Sequence, residues 1–144
     1  MAGTGMVVVD ASVWIARLVP QDGYHQAARD WMAAQRAENT LLISPSLLLP
    51  EVGGAIARRT GDGELAAKAI EALEQFPGLR LIEMERSLVA AAAHLACTMG
   101  MRGADAVYVA AAEYLSLPLC TLDEDQARRA AYRVEIRRLG VDSE

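Results

Sequence analysis

The sequence has 144 residues, the size of one domain with a substantial core, and 53% of them are hydrophobic. A net charge of −5 and a pI near 5.1 argue against a protein that coats phosphate backbones by charge alone. No window approaches the roughly 20 apolar residues of a membrane span, and the amino terminus lacks a basic region followed by a long apolar stretch, so a soluble, cytoplasmic protein is expected.

Met1-Ala-Gly-Thr-Gly5 reads as a flexible leader. Met6-Val-Val-Val-Asp10 then places three β-branched residues together, which reads as a buried strand ending at a carboxylate. Ser12 to Val19 reads as a short helix that Ser12 caps, stopped near Pro20. Asp22 is the expected cap of a second helix running to about Arg36, with Tyr24, Ala27, Ala28, Trp31 and Met32 at helical spacing. Leu41 to Ile43 is a second strand. Ser44-Pro45-Ser46 opens a helix that carries Leu47, Leu48, Val52 and Ile56 and ends near Thr60-Gly61. Pro50 inside that stretch predicts a later start or a kink.

Asp62-Gly-Glu64 begins a helix to about Gln75, broken by Pro77-Gly78, and Leu79 to Met84 is a strand. An Ala-rich helix follows from Glu85 or Arg86 to Thr98. A loop over Met99 to Gly103 leads into a helix from Ala104 to Leu115. Leu117 to Thr121 is a fourth strand, Asp123 to Ala131 a last helix, and Val134 to Ile136 an edge strand. Strands and helices alternate without repeats or linkers, which predicts a single α/β domain with a short, mainly parallel central sheet flanked by helices.

Cys97 and Cys120 match no paired spacing and read as buried small hydrophobes in a reducing compartment. His25 and His94 match no ligand spacing and read as surface or satisfied helix histidines. Of the 14 basic residues only Lys68 is a lysine; guanidinium groups suit ion pairs and bidentate phosphate contacts.

The chemistry lies with four acids. Ligands of open parallel sheets bind at the carboxyl ends of the strands. Asp10 ends the first strand and Asp123 follows the fourth, so the two meet at that edge if both strands are central. Glu51, in the helix after strand two, and Asp105, in the first turn of the helix before strand four, can lean over it. Singly, Asp10, Asp105 and Asp123 also suit helix starts, where an acid offsets the dipole, and Glu51 suits a helix surface. Jointly, a pocket of carboxylates without His or Cys suits Mg²⁺ or Mn²⁺ and phosphodiester hydrolysis.

Val9-Asp10-Ala-Ser12, Pro50-Glu51-Val52, Arg102-Gly-Ala-Asp105-Ala106 and Thr121-Leu-Asp123 come in an order and spacing that resembles the PIN-domain ribonucleases, most closely the VapC-type toxins of toxin–antitoxin pairs. The resemblance runs from Met6 onward and implies one PIN-like nuclease domain over residues 6–144. It implies that Asp10, Glu51, Asp105 and Asp123 bind Mg²⁺ or Mn²⁺, that Ser12 and Thr121 are pocket hydroxyls, and that RNA is the substrate. Arg102 would pair with the acids or meet an RNA phosphate. Asp125 is a weaker fifth acid, while Glu124 and Glu113 fit the surface better. A homodimer and an antitoxin partner are also implied. Gly53-Gly54 departs from good helix composition and suggests close approach of another helix or of RNA. Trp14, Trp31 and Tyr24 offer an aromatic face, read more readily as core than as a base-stacking platform.

A phosphoacceptor receiver domain needs paired acids after the first strand and a lysine after the last. A haloacid-dehalogenase-type phosphatase needs a second aspartate where Ser12 stands. Neither fits, which leaves a non-catalytic PIN-like scaffold that binds RNA or protein as the alternative to a nuclease.

Overall fold

The computed structural model describes residues 5–140. Five parallel strands form one sheet in the order β3-β2-β1-β4-β5. The leader expected over residues 1–5 lies outside the described residues except for Gly5, whose carbonyl accepts from the Leu41 N–H. The central strand β1 (Met6–Val9) buries Val7, Val8 and Val9 completely, which is why its run is continuously apolar rather than alternating.

Helix α1 (Ala11–Leu18) is capped by Asp10, whose carboxylate accepts from the Ser12 N–H, and not by Ser12, which lies one residue inside the helix. Helix α1 thus starts earlier than expected, whereas helix α2 (His25–Ala37) starts later. Asp22 accepts from the Tyr24 N–H and from Arg59, and so shapes the turn ahead of the helix instead of capping it. Strand β2 (Leu41–Pro45) extends through Ser44 and Pro45, because its pairing with β3 continues to Ile82.

Helix α3 (Leu48–Thr60) contains Pro50 as its third residue. The start at Leu48, beyond Ser46 and Leu47, is the later start that Pro50 led to expect, and no kink is needed because a first turn does not use that N–H. Gly61, at φ +70°, stops it. Helix α4 (Gly63–Glu74) is capped by Asp62, and β3 (Leu79–Ile82) follows Gly78 at φ +90°. A Cβ on Gly53 would stand 3.3 Å from Ile70 Cδ1, so this glycine lets α3 lie close against α4. Gly54 faces only the tip of Arg58 on its own helix.

Helix α5 (Arg86–Met99) packs along α6 (Gly103–Leu115), and α6 also covers β1 and β2. Every residue of α6 from Ala106 to Ala112 is buried, and the small alanines allow that close seating. Strand β4 (Leu119–Cys120) lies beside β1, helix α7 (Glu124–Ala130) starts at the Asp123 cap, and β5 (Ile136–Arg137) forms the edge.

The early aromatics do not share one face. Trp14 is fully buried, edge-on to Phe76 at 5.0 Å, and donates from Nε1 to Ser44 Oγ. Trp31 packs at the margin of the core and Tyr24 is exposed. Cys120 is buried in β4 as expected, whereas Cys97 is exposed on α5 because it falls on the helix face away from Ala92 and Leu95. Among the described residues, no helix is long and apolar enough to cross a membrane.

Candidate active site

The parallel register of β1 and β4 carries Asp10 and Thr121 to the same end of the sheet, and each strand turns there into a helix capped by an aspartate, Asp10 or Asp123. Asp10 is 4% exposed. Its Oδ1 accepts from the Ser12 N–H at 3.0 Å and the Ser12 hydroxyl at 2.6 Å, and its Oδ2 accepts from the Thr121 hydroxyl at 2.6 Å. Burial still wins over these donors. The Asp10 carboxyl is pushed up from its usual 3.8 to about 6, with the nearby Asp105 charge adding to the rise.

The two hydroxyls also join the strand ends. Ser12 Oγ accepts from the Leu122 N–H at 2.9 Å, and Thr121 Oγ1 accepts from the Asp123 N–H at 3.0 Å. Both therefore spend their single proton on Asp10 when that acid is ionised. Gln126, 2% exposed, completes the network. Its N–H donates to Asp123 Oδ1 at 3.0 Å and its Nε2 to the Asp105 carbonyl at 3.3 Å, while its Oε1 sits 3.1 Å from Thr121 Oγ1.

Glu51 lies in the first turn of α3, with Oε1 accepting from the Tyr108 hydroxyl at 2.6 Å. Partial burial raises its carboxyl above the usual range, the Tyr108 donor opposes that, and the Asp105 charge adds to it. Tyr108 is itself buried, and its hydroxyl is pushed up by burial and by Glu51, so it stays a donor at every working pH. Asp105, in the first turn of α6, is also raised, first by burial and against the pull of Arg102. Arg102 precedes α6 and bridges two acids, from Nε to Asp105 Oδ2 at 3.1 Å and from Nη2 to Asp123 Oδ2 at 3.0 Å.

All four expected acids thus stand at one end of the sheet, linked by shared donors or by mutual repulsion. They do not converge as they stand: among the described residues, no three His, Cys, Asp or Glu side chains form a group that could hold a metal ion. Each acid already has hydrogen-bond partners of its own. Asp10 is turned to Ser12 and Thr121, Glu51 to Tyr108, and Asp105 with Asp123 to Arg102.

The other candidates lie outside this pocket. Asp125 pairs with Arg128 and Arg129, Glu124 with Arg138, and Glu113 with Arg133. His25 Nδ1 is satisfied by the Ala16 carbonyl at 2.9 Å, and His94 is exposed. A cleft of about 440 Å³ lined by Arg36, Phe76 and Arg80 opens at the opposite end of the strands.

Sequence reasoning alone does not single out Tyr108 and Gln126. Tyr108 follows Asp105 by three residues, on the same helix face, and Gln126 follows the cap Asp123 by three, as in a capping box. Those spacings are the only signals the chain offers for them.

The chain matches the family described as PIN domain over residues 7–132. No curated protein matches the sequence. Among solved structures, VapC20 of Mycobacterium tuberculosis, a sarcin–ricin-loop-cleaving toxin, superposes with a TM-score of 0.76. It is 22% identical, over 91% of this chain and 98% of that one. VapBC2 from Rickettsia felis, bound to a DNA fragment from its promoter, gives 0.72 at 10% identity, over 93% and 98%. FitAcB from Neisseria gonorrhoeae gives 0.66 at 24%, over 91% and 96%. At such identities the likeness speaks to the fold.

Proposed function

The chain belongs to the PIN domain family, and from that premise we propose that it is a Mg²⁺- or Mn²⁺-dependent endoribonuclease, the toxin of a toxin–antitoxin pair. The observation that carries the reading is electrostatic. Asp10, Glu51 and Asp105 are all held above the usual carboxylate range, each first by burial and then by an acidic neighbour, at the carboxyl end of a parallel sheet. Crowding like charges in a half-dry pocket opposes folding, and a divalent cation relieves it. The donors are hard carboxylate oxygens without sulfur or imidazole, a set that fits Mg²⁺ or Mn²⁺.

In this reading Asp10, Glu51, Asp105 and Asp123 hold the ion. When bound, it supplies activation of a water and neutralisation of the scissile phosphate. The chain's own side chains do the positioning. Ser12 and Thr121 fix both oxygens of Asp10, Tyr108 aims Glu51, and Gln126 joins the Asp105 backbone to the start of α7. RNA as substrate is supported by the M. tuberculosis neighbour, which cleaves the sarcin–ricin loop. An antitoxin partner is supported by the toxin–antitoxin complex from Klebsiella pneumoniae, which shares the fold with a TM-score of 0.58. A homodimer and a cytoplasmic location belong to the same proposal.

The test is cleavage of a mixed single-stranded RNA pool with Mg²⁺, with Mn²⁺ and with chelator, using wild type, Asp10→Asn and Asp105→Asn. Metal-dependent cutting that falls at least about 100-fold in both folded variants is expected. Folded wild type that cuts nothing, yet binds RNA as well as either variant does, overturns the nuclease and leaves the binding scaffold.

A further inference from the structure

Arg102 is the one cation among the described residues that is ion-paired to the pocket acids. It stands at the entry to α6 and reaches two carboxylates that belong to different elements, Asp105 of α6 and Asp123 at the start of α7. The guanidinium side chain is 78% exposed, while its partners are 21% and 29% exposed. It therefore closes over the acids from the solvent side and has little packing to lose on leaving. Among the described residues, Asp10 and Glu51, deeper in the pocket, form no ion pair.

We propose that Arg102 is a built-in counter-cation of this pocket: its guanidinium and a divalent ion compete for the carboxylates of Asp105 and Asp123, so loading the metal requires Arg102 to swing out. The proposal rests on the metal-dependent reading above. Three features favour competition over a fixed structural pin. Both hydrogen bonds go to Oδ2 atoms on the open side of the acids, whereas the remaining Asp123 oxygen, Oδ1, serves the backbone of α7. Exposed ion pairs are weak and reversible, so the guanidinium can be displaced by an ion of higher charge density. An arginine held as a pin would instead be anchored to the backbone and less exposed, as half-buried Arg129 is to the Met99 carbonyl.

The consequence is a chain that partly neutralises its own acids without metal and hands them over when the ion arrives. It also predicts that Arg102 weakens metal binding, the opposite of what a supporting residue does. A pin that held Asp105 and Asp123 in place would, on removal, misplace them and loosen the ion.

The experiment titrates Mn²⁺ into the full chain, with free Mn²⁺ read by electron paramagnetic resonance in about 0.15 M salt, where charges beyond roughly 8 Å are largely screened. Wild type is compared with Arg102→Ala and with Arg36→Ala, which removes the same charge at the opposite end of the strands. Arg102→Ala is expected to bind Mn²⁺ about three- to tenfold more tightly, the scale of two exposed ion pairs released. Arg36→Ala is expected to stay within about twofold of wild type, since its charge is screened from the pocket. If Arg102→Ala does not fold, Arg102→Gln is read in its place. Unchanged or weaker Mn²⁺ affinity in the folded Arg102 variant overturns the competition while leaving the metal site standing. Equal tightening in Arg36→Ala does the same, reducing the effect to net charge. Absence of Mn²⁺ binding in all three proteins overturns the metal-dependent reading, and this inference with it.

Discussion

Tyr108 shows how one hydroxyl supports the pocket without being an acid itself. Its ring is buried in the core and its O–H reaches Glu51, 57 residues away in the chain. Tyr108→Phe keeps the ring volume and removes only the donor. Glu51 then loses the hydrogen bond that opposes its upward shift and is free to turn. A fall of about 10–100-fold in metal-dependent cleavage or Mn²⁺ affinity is expected, the usual size for a ligand's outer partner. The thermal midpoint is expected to move by only a few degrees. A large drop in the midpoint with cleavage intact would assign the hydroxyl to core satisfaction alone. Asp10 is the second residue with two tasks, since the same carboxylate caps α1 and faces the pocket.

At the scale of elements, adjacent glycines of α3 are set apart by what lies beside them. A side chain on Gly53 runs into Ile70 of α4, while one on Gly54 meets only the movable tip of Arg58. Gly53→Leu therefore overpacks the α3–α4 contact and is expected to lower stability by about 1–3 kcal/mol. Gly54→Ala relieves a poor helix former, asks only a small shift of the Arg58 tip, and is expected to raise stability by up to about 1 kcal/mol. Urea denaturation of both variants checks the pair; a stability loss in Gly54→Ala as large as that in Gly53→Leu would refute the distinction. Since Glu51 sits on the same helix, movement of α3 in Gly53→Leu is also expected to lower cleavage.

For the molecule as a whole, the pocket makes stability depend on pH in an unusual direction. Asp10 has a folded pKa of about 6 against an ordinary 3.8, so the folded state holds its proton more tightly than the unfolded chain does. The resulting stabilisation is fully present below about pH 4 and is lost as pH rises through 6, an effect of at most about 3 kcal/mol. The upward shifts at Glu51 and Asp105 act in the same sense. In chelator, the thermal midpoint is expected to be higher at pH 5 than at pH 7, and Mn²⁺ at pH 7 is expected to restore it. Asp10→Asn is expected to flatten that slope without lowering the midpoint at pH 7. Its amide oxygen still accepts from Ser12, and its amide NH₂ donates to Thr121, freeing the Thr121 proton for Gln126. A wild-type midpoint that rises between pH 5 and pH 7 in chelator would contradict the assignment.

The sequence by itself determined the alternation of strands and helices, the parallel sheet, and the arrival of four acids at one edge. These follow from local signals: a buried β-branched run, caps such as Asp62 and Asp123, and breaks at Gly61 and Gly78. In such a sheet, strand direction alone says at which end a terminal acid lies. The helix starts were less legible where two cap formers compete, so Asp10 rather than Ser12 caps α1, and Asp22 shapes a turn ahead of α2. Local spacing already brings Ser12 to Asp10 and Arg102 to Asp105, but only the tertiary structure decided the long-range partners, because those depend on which helix faces dock. Tyr108 meets Glu51 across α3 and α6, and Arg102 reaches Asp123 from 21 residues away. Gln126 is buried on a helix whose other polar residues face solvent, and Trp14 turns inward while Cys97 turns outward. None of these pairings is written in a spacing of three or four residues, since each is set by long-range packing of one element on another.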